Sequence, residues 1–130
     1  MTPTAGSILL VDDEPSLLKM MSVYLGRLGY AVITSDSTDQ AWAQVEAAPS
    51  EFAVAILDAS MSGMSTEALA LKMLQANPLL CVIVASGYPM EMTAVQAAGP
   101  GRVIFLHKPF SPEMLAQAVR RFFATQEESL

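Results

Sequence analysis

Cysteine is nearly missing from this sequence, with Cys81 alone among 130 residues. A single cysteine rules out an internal disulfide bond and any metal site built from a cysteine cluster. Cys81 lies within the apolar stretch 79–84, where a buried core thiol is the ordinary outcome. The cysteine content therefore predicts a protein of a reducing, cytoplasmic compartment.

Positive charge is also scarce, because seven Lys and Arg residues face thirteen Asp and Glu residues and the net charge is -6. Arg120 and Arg121 form the only adjacent basic pair. Such a chain lacks the basic patch that binds phosphate backbones, and anionic membranes repel it. We therefore expect no direct binding to nucleic acid and none to membranes.

Long apolar runs are absent as well. No stretch reaches the roughly 20 apolar residues that span a bilayer, and residues 1–6 lack the basic and apolar regions of a signal peptide. Hydrophobic residues nevertheless make up 52% of the chain and charged residues only 15%, a balance typical of a compact protein. Without repeats or a linker, residues 1–130 are predicted to form one domain with an ordered core at about 7–124.

Five short apolar segments alternate with segments of helical periodicity. The predicted strands are residues 7–11, 31–35, 53–57, 80–85 and 102–106. Each is apolar on both faces, as expected of strands in a parallel sheet that helices cover on both sides. This (βα)5 alternation predicts an α/β fold with a doubly wound, five-stranded parallel sheet.

Helix start signals lie between these strands. Pro15 suits the first turn of the first helix. Ser37 and Gln40 have the spacing of a capping box at the start of the second helix. Ser111 is the predicted N-cap of the fifth helix. The remaining helices are predicted at residues 65–76 and 90–98.

Carboxylates follow two of the predicted strands at the point where each strand ends. Asp12 and Asp13 follow the first strand, and Asp58 follows the third. A charge at the end of a buried strand is costly unless a partner or a reaction uses it. Because the carboxyl ends of parallel strands meet at one edge of the sheet, the three acids are predicted to converge and attract a divalent cation. For Asp12 and Asp13 taken alone, a solvated helix start is the alternative.

The same edge gathers groups that suit phosphoryl transfer. Magnesium favours oxygen ligands and retains several waters, so one or two carboxylates suffice to hold it. Beside such a cation, Asp58 can act as a nucleophile and form an acyl phosphate. Lys108 after the fifth strand and Ser86 after the fourth can hold the phosphoryl oxygens. Taken singly, Lys108 could be a surface lysine and Ser86 a turn residue, but the set favours one shared site.

Together these residues resemble the response-regulator receiver domain of two-component signalling. The resemblance covers nearly the whole chain, in the order and spacing of the family. It is carried by residues 9–15 (LLVDDEP), Leu57-Asp58 with Met61 and Gly63-Met64, Ser86-Gly87, and Lys108-Pro109-Phe110. It implies a flavodoxin-like fold with strand order 2-1-3-4-5, in a domain that catalyses only its own phosphorylation and dephosphorylation.

The resemblance also implies roles for individual residues. Asp58 would be the phosphoacceptor and would bind magnesium as well. Asp13 would be a direct magnesium ligand, and Asp12 would bind the ion mostly through water. The backbone carbonyl of Ser60 would complete the ligands that the protein supplies to the metal.

Activation, on the same resemblance, would move two side chains. Ser86 would shift toward the phosphoryl group that Lys108 also holds, and Phe105 would change rotamer to fill the vacated space. The surface of the fourth helix, fifth strand and fifth helix would change as a result. A plain core position is the alternative for Phe105. His107, the only histidine, is interpreted as a surface neighbour, with a phosphorelay or metal role as the alternative.

The sequence departs from the family in the loop after Asp58. The family often has Pro where Ser62 stands, and Asp-Gly or Asn-Gly where Ser65-Thr66 stands. These changes concern the turn rather than the reacting groups. The resemblance also implies that the positions of Ser60 and Tyr88 tune how long the phosphoryl group survives: small Ser60 leaves room for an attacking water, whereas Tyr88 could cover the site.

The implied partner is a sensor histidine kinase or a phosphotransfer protein, and we expect a monomer or a weak homodimer. The stretches 85–88 and 105–112 resemble receivers attached to hybrid sensor kinases. Two other functions stay open: an interaction module that works without phosphorylation, and a hydrolase of the haloacid-dehalogenase type. The hydrolase would need a second acid two residues after its nucleophile, where Ser60 stands.

Overall fold

Strands and helices alternate strictly in the computed structural model, which describes residues 6–61 and 63–128, with side chains as far as residue 124. The elements are β1 (Ser7–Val11), α1 (Pro15–Arg27), β2 (Val32–Ser35), α2 (Thr38–Ala47), β3 (Phe52–Asp58), α3 (Thr66–Ala76), β4 (Cys81–Ser86), α4 (Thr93–Ala98), β5 (Val103–His107) and α5 (Pro112–Glu128). This order confirms the predicted (βα)5 pattern. The expectations for residues 1–5, Ser62 and residues 129–130 lie outside the described residues.

The five strands form one parallel sheet in the order β2-β1-β3-β4-β5. β1 lies between β2 and β3, and its pairing with β3 ends at Val11 opposite Leu57. β3 pairs with β4 so that Asp58 stands opposite Ala85. The order of the strands reverses between β1 and β3, which makes that position the switch point of the sheet. The fold class and strand order predicted from the sequence are confirmed.

Side chains that alternate along each strand fill two cores, one on each face of the sheet. Leu9 and Leu57 belong to the core beneath α2, α3 and α4. Ile8 and Ile56 belong to the core beneath α1 and α5, where Cys81 is also buried. β3 and β4 are buried along their whole length, which explains why both are unbroken apolar runs in the sequence.

Local capping explains where two of the helices begin. The hydroxyl of Ser37 accepts a hydrogen bond from the amide of Gln40 at 3.1 Å, as the predicted capping box requires. The side chain of Gln40, however, accepts from the amide of Asp36 instead of that of Ser37, so only half of the box forms. Ser111 accepts from the amide of Met114 at 3.2 Å, which confirms the predicted start of α5.

Three strands extend one residue further toward the acids than predicted. β3, β4 and β5 end at Asp58, Ser86 and His107. The parallel pairing continues to these residues, with Asp58 opposite Ala85 and Ser86 opposite His107. The main chain of Asp58 and Ser86 is therefore held by the sheet and not by a loop.

Two helices differ more from their predicted bounds. α4 begins at Thr93 and not at residue 90, because the carboxylate of Glu91 accepts a hydrogen bond from the Thr93 amide at 2.8 Å. α5 continues to Glu128, past the expected limit near residue 124. None of the helices within the described residues is both long and apolar enough to cross a membrane.

Asn77 and Arg102 tie together the edge of the sheet opposite the acids. The side-chain amide of Asn77 donates to the carbonyls of Pro49 at 2.7 Å and Phe52 at 3.1 Å. The guanidinium of Arg102 donates to the Leu80 carbonyl and to two carbonyls at the end of α3. Because α3 has no basic residue in its own last turn, Arg102 supplies the cation that a helix C-terminus favours.

Candidate functional site

Three carboxylates gather at the carboxyl edge of the sheet, on the two strands that flank the switch point. Asp12 and Asp13 follow β1, and Asp58 is the last residue of β3. One carboxylate oxygen of each lies within 4.8 Å of the other two. Asp12 and Asp58 are buried, with 4% and 6% of their surface exposed, whereas Asp13 is exposed. The predicted convergence of the acids is confirmed.

The negative charge of Asp12 is unfavourable in this pocket. Burial raises its pKa above the usual value of 3.8, and the negative charge of Asp58 raises it further. The hydrogen bond from the Glu14 amide, 2.9 Å from Oδ1 of Asp12, partly offsets these effects. The pocket therefore favours a proton or a metal cation among its acids.

Lys108 reaches the acids from the segment after β5. Its Nζ donates to Oδ1 of Asp58 at 2.6 Å, and the two side chains form an ion pair. The amide of Lys108 also donates to the Ser86 carbonyl at 2.8 Å, which fixes the main chain of the lysine against β4. Burial lowers the pKa of Lys108, but the hydrogen bond and the charge of Asp58 outweigh that effect, so the pKa lies above its usual 10.5. Lys108 is therefore a cation beside Asp58 at neutral pH.

Ser86 is buried at the end of β4, the strand next to that of Asp58. Its hydroxyl donates to the Tyr88 carbonyl at 2.9 Å and accepts from the Tyr88 amide at 3.0 Å. A hydroxyl has a single proton to donate. Ser86 must therefore release the Tyr88 carbonyl before it can donate to a group attached to Asp58.

Ser60, Phe105 and His107 are the other residues for which the sequence analysis weighed a functional role. Ser60 is exposed in the loop that follows β3. Phe105 is half-buried against the core beneath α3 and α4, and the exposed His107 ring stands edge-on to it with 6.2 Å between centroids. The metal role of Ser60, the switch role of Phe105 and the surface interpretation of His107 stay predictions.

One contact to Asp58 was not predicted from the sequence. The Thr66 hydroxyl, at the start of α3, donates to the backbone carbonyl of Asp58 at 2.7 Å. The available signal was the departure at Ser65-Thr66, where the resembling family often has Asp-Gly or Asn-Gly. The sequence could not show this hydrogen bond, because the direction of the hydroxyl depends on the path of the loop that precedes it.

A doubly wound sheet with clustered acids and a paired lysine at its switch point defines a class of α/β domain, and this arrangement is the one expected of receiver domains. The family model for the response regulator receiver domain matches residues 8–120. The chain therefore belongs to the response regulator receiver domain family of two-component signalling. Membership makes residues 8–120 a signalling module of the two-component type.

Known proteins resemble this chain in sequence and in fold. It is 36% identical over 118 residues to the C4-dicarboxylate transport transcriptional regulatory protein DctD of Rhizobium meliloti (strain 1021), a match that covers 90% of this chain but only 25% of that protein. The receiver domain protein of Clostridium thermocellum superposes with a TM-score of 0.84 at 22% identity, over 96% of this chain and 99% of the other. The BeF3-activated DrrB receiver domain superposes with a TM-score of 0.75 at 27% identity, over 92% and 97%.

Proposed function

We propose that this protein accepts a phosphoryl group on Asp58 from a partner histidine kinase in a magnesium-dependent reaction. The position of Asp58 carries the proposal: a buried carboxylate at the switch point of the sheet, clustered with two other acids and 2.6 Å from the Lys108 ammonium. A carboxylate oxygen of Asp58 attacks phosphorus, the bond from phosphorus to the imidazole nitrogen of the donor breaks, and an acyl phosphate forms. The imidazole leaves with the electron pair of that bond.

The acidic pocket fits a magnesium ion. Three carboxylates within 4.8 Å of one another offer the hard oxygen ligands that magnesium prefers, and the exposure of Asp13 leaves room for retained waters. Asp13 and Asp58 would hold the ion directly, Asp12 mostly through water, and the Ser60 carbonyl would complete the set. A bound magnesium ion would supply positive charge for the phosphoryl oxygens.

Lys108 and Ser86 would hold the phosphoryl group once it is on Asp58. The Lys108 ammonium already pairs with the carboxylate that would be modified, so only a small shift brings it to a phosphoryl oxygen. The Ser86 hydroxyl would give up the Tyr88 carbonyl and donate to a second oxygen. Phosphorylation thus exchanges a local turn contact for a contact to the modified residue.

That exchange is the proposed origin of the switch. Movement of Ser86 leaves space that the half-buried ring of Phe105 can enter, and Phe105 lies on β5 at the edge of the sheet. The surface of α4, β5 and α5 would then present a different shape to a partner. A change from mostly inactive to mostly active needs a preference of roughly 5.5 kcal/mol for the phosphorylated state.

The larger assembly around this chain is a separate proposal. The chain spans a quarter of the length of DctD, which is a transcriptional regulatory protein by name. One prediction is that the chain is attached to an output domain of that kind. The rival prediction, suggested by the stretches 85–88 and 105–112, is attachment to a hybrid sensor kinase. A monomer or weak homodimer is the expected oligomeric state, and sedimentation analysis with and without phosphorylation would measure it.

Phosphorylation by a small donor tests the proposed function. Incubation with magnesium chloride and acetyl phosphate should add the mass of one phosphoryl group to the wild-type protein, measured on the intact protein. Chelation of magnesium should abolish the addition, and so should Asp58→Asn, which replaces the nucleophilic carboxylate with a neutral amide. Asp36→Asn is the matched control, because Asp36 follows β2 at the same edge of the sheet and lies outside the acid cluster. Equal labelling of wild type and Asp58→Asn would refute the proposal.

A further inference from the structure

Thr66 makes a buried hydrogen bond to the main chain of the proposed phosphoacceptor. Its hydroxyl donates to the backbone carbonyl of Asp58 at 2.7 Å, and only 4% of Thr66 is exposed. Thr66 is also the first residue of α3. One side chain thus joins the start of that helix to the end of β3.

The sheet leaves this carbonyl in need of a donor. The amide of Ala59 donates to the Ala85 carbonyl of β4 at 2.9 Å, so the Asp58 carbonyl, on the other side of the same trans peptide, points away from β4 and toward β1. The pairing of β1 with β3 has already ended one residue earlier, at Val11 and Leu57. The Thr66 hydroxyl supplies a hydrogen bond where the ladder no longer does.

We propose that Thr66 is a positioning residue for the phosphorylation of Asp58, an inference that rests on the proposed function. Its hydrogen bond joins the first residue of α3 to the last residue of β3, directly before the segment 59–61 that carries Ser60. The bond fixes the peptide that follows Asp58 and so holds the carboxylate in its place between the Lys108 ammonium and the other acids. Loss of the hydroxyl would let this peptide move, and small displacements of reacting groups slow a reaction strongly.

The neighbouring residue separates this role from simple helix capping. Ser65 is the N-cap of α3, and its hydroxyl accepts from the Ala68 amide at 3.1 Å. The cap contact is exposed, whereas the contact of Thr66 to Asp58 is buried. Removal of either hydroxyl weakens the start of the same helix, but only Thr66 touches the phosphoacceptor. Ser65→Ala is therefore a control for the stability of α3.

Three variants of the full chain test the proposal: Thr66→Val, Thr66→Ser and Ser65→Ala. Phosphorylation by acetyl phosphate is followed at saturating and at limiting magnesium, after thermal melts have established that each variant is folded. Thr66→Val keeps the shape of the side chain without its donor and should slow phosphorylation about five- to tenfold. Thr66→Ser restores the donor and should recover most of the rate. Ser65→Ala should stay close to the wild-type rate while its melting temperature falls.

Magnesium binding gives a second readout that does not depend on phosphorylation. Titration with magnesium chloride alone, followed by the NMR signals of the Asp58 and Ala59 amides, should show weaker binding in Thr66→Val and near-normal binding in Thr66→Ser. If Thr66→Val does not fold, Thr66→Ala replaces it with the same expectation. Wild-type rate and magnesium affinity in the donor-less variant would overturn the proposal, as would equal slowing in Ser65→Ala or no recovery in Thr66→Ser. Absence of labelling in wild type would refute the proposed function instead, and the titration would still decide the role of Thr66.

Discussion

The ionised side chain of Asp12 destabilises the folded protein. The side chain is buried beside the carboxylates of Asp58 and Asp13, and its raised pKa records how unfavourable the ionised form is there. A group whose pKa is raised on folding stabilises the unfolded state whenever it is ionised. At neutral pH, then, the free energy of unfolding is lower than it would be with a neutral residue at this position.

Asp12→Asn should stabilise the metal-free protein at pH 7 by about 1 kcal/mol, or roughly 4 °C in melting temperature. The amide keeps the shape and can still accept the hydrogen bond from Glu14. The gain should shrink as the pH falls through the raised pKa of Asp12 toward 3.8. Wild-type Asp12 then takes up a proton in the folded state and no longer carries a buried charge. Thermal melts in chelator across this pH range provide the measurement.

The exposed residue Asp36 supplies the comparison for this prediction. Asp36→Asn removes the same unit of negative charge outside the acid cluster, so its effect on the melting temperature should be small at every pH. Added magnesium should reduce the difference in melting temperature between wild type and Asp12→Asn, since the cation neutralises the crowded acids. A destabilised Asp12→Asn protein, or a gain that grows at low pH, would contradict this account.

At the scale of elements, local sequence signals predict where helices start, but they do not predict which elements contact one another. Ser37 and Ser111 mark the starts of α2 and α5 because a cap acts within three residues of its own position. The link from Thr66 to Asp58 and the fork of Arg102 could not be predicted in this way. Arg102 reaches carbonyls 22 to 28 residues away in sequence, and only the folded path of the chain brings these groups together.

Arg102→Lys should lower the free energy of unfolding by about 1 to 2 kcal/mol, because a lysine cannot donate from both ends of a planar fork. The three contacts of the guanidinium lie at the end of α3 and just before β4, opposite the acidic pocket. Phosphorylation of Asp58 should therefore keep its wild-type rate in the folded protein. Urea unfolding and acetyl phosphate labelling measure the two quantities.

Arg27→Lys is the control for this prediction, because Arg27 is an exposed arginine in the last turn of α1. Its urea midpoint should match that of wild type within error. If Arg102→Lys were as stable as wild type, the fork would contribute nothing to the packing of α3. Slower labelling of Arg102→Lys would mean, against expectation, that changes at this edge of the sheet affect the acidic pocket at the other edge.

At the scale of the whole molecule, the position of the acids could be predicted from chain order, whereas the strand order 2-1-3-4-5 was implied by the resemblance to the receiver family and not by chain order. Apolar runs such as 53–57 identify buried strands, and residues that follow parallel strands must share one edge. The hydrogen bond of Ser86 could not be predicted, since its hydroxyl can donate either to the Tyr88 carbonyl or to a group on Asp58. Phosphorylation is expected to move the hydrogen bond from Tyr88 to the group on Asp58.

Beryllofluoride with magnesium should take the place of a phosphoryl group on Asp58 and so imitate the phosphorylated state of wild type. Amide hydrogen exchange should then change mainly at residues 86–88, where Ser86 releases the Tyr88 carbonyl, and at β5 and the adjoining helices. The edge fixed by Asn77 and Arg102 should keep its exchange rates. Asp58→Asn serves as the control and should show no response; a uniform change, or none in wild type, would argue against the proposed switch.

Asp58 itself should carry the phosphoryl group. After incubation with magnesium and acetyl phosphate, reduction with borohydride converts an aspartyl phosphate to homoserine, which peptide mass spectrometry can place in the sequence. We predict homoserine at position 58 and only in samples that contained magnesium. Modification at His107 or Ser86, or homoserine at another acid while Asp58 stays intact, would contradict the account.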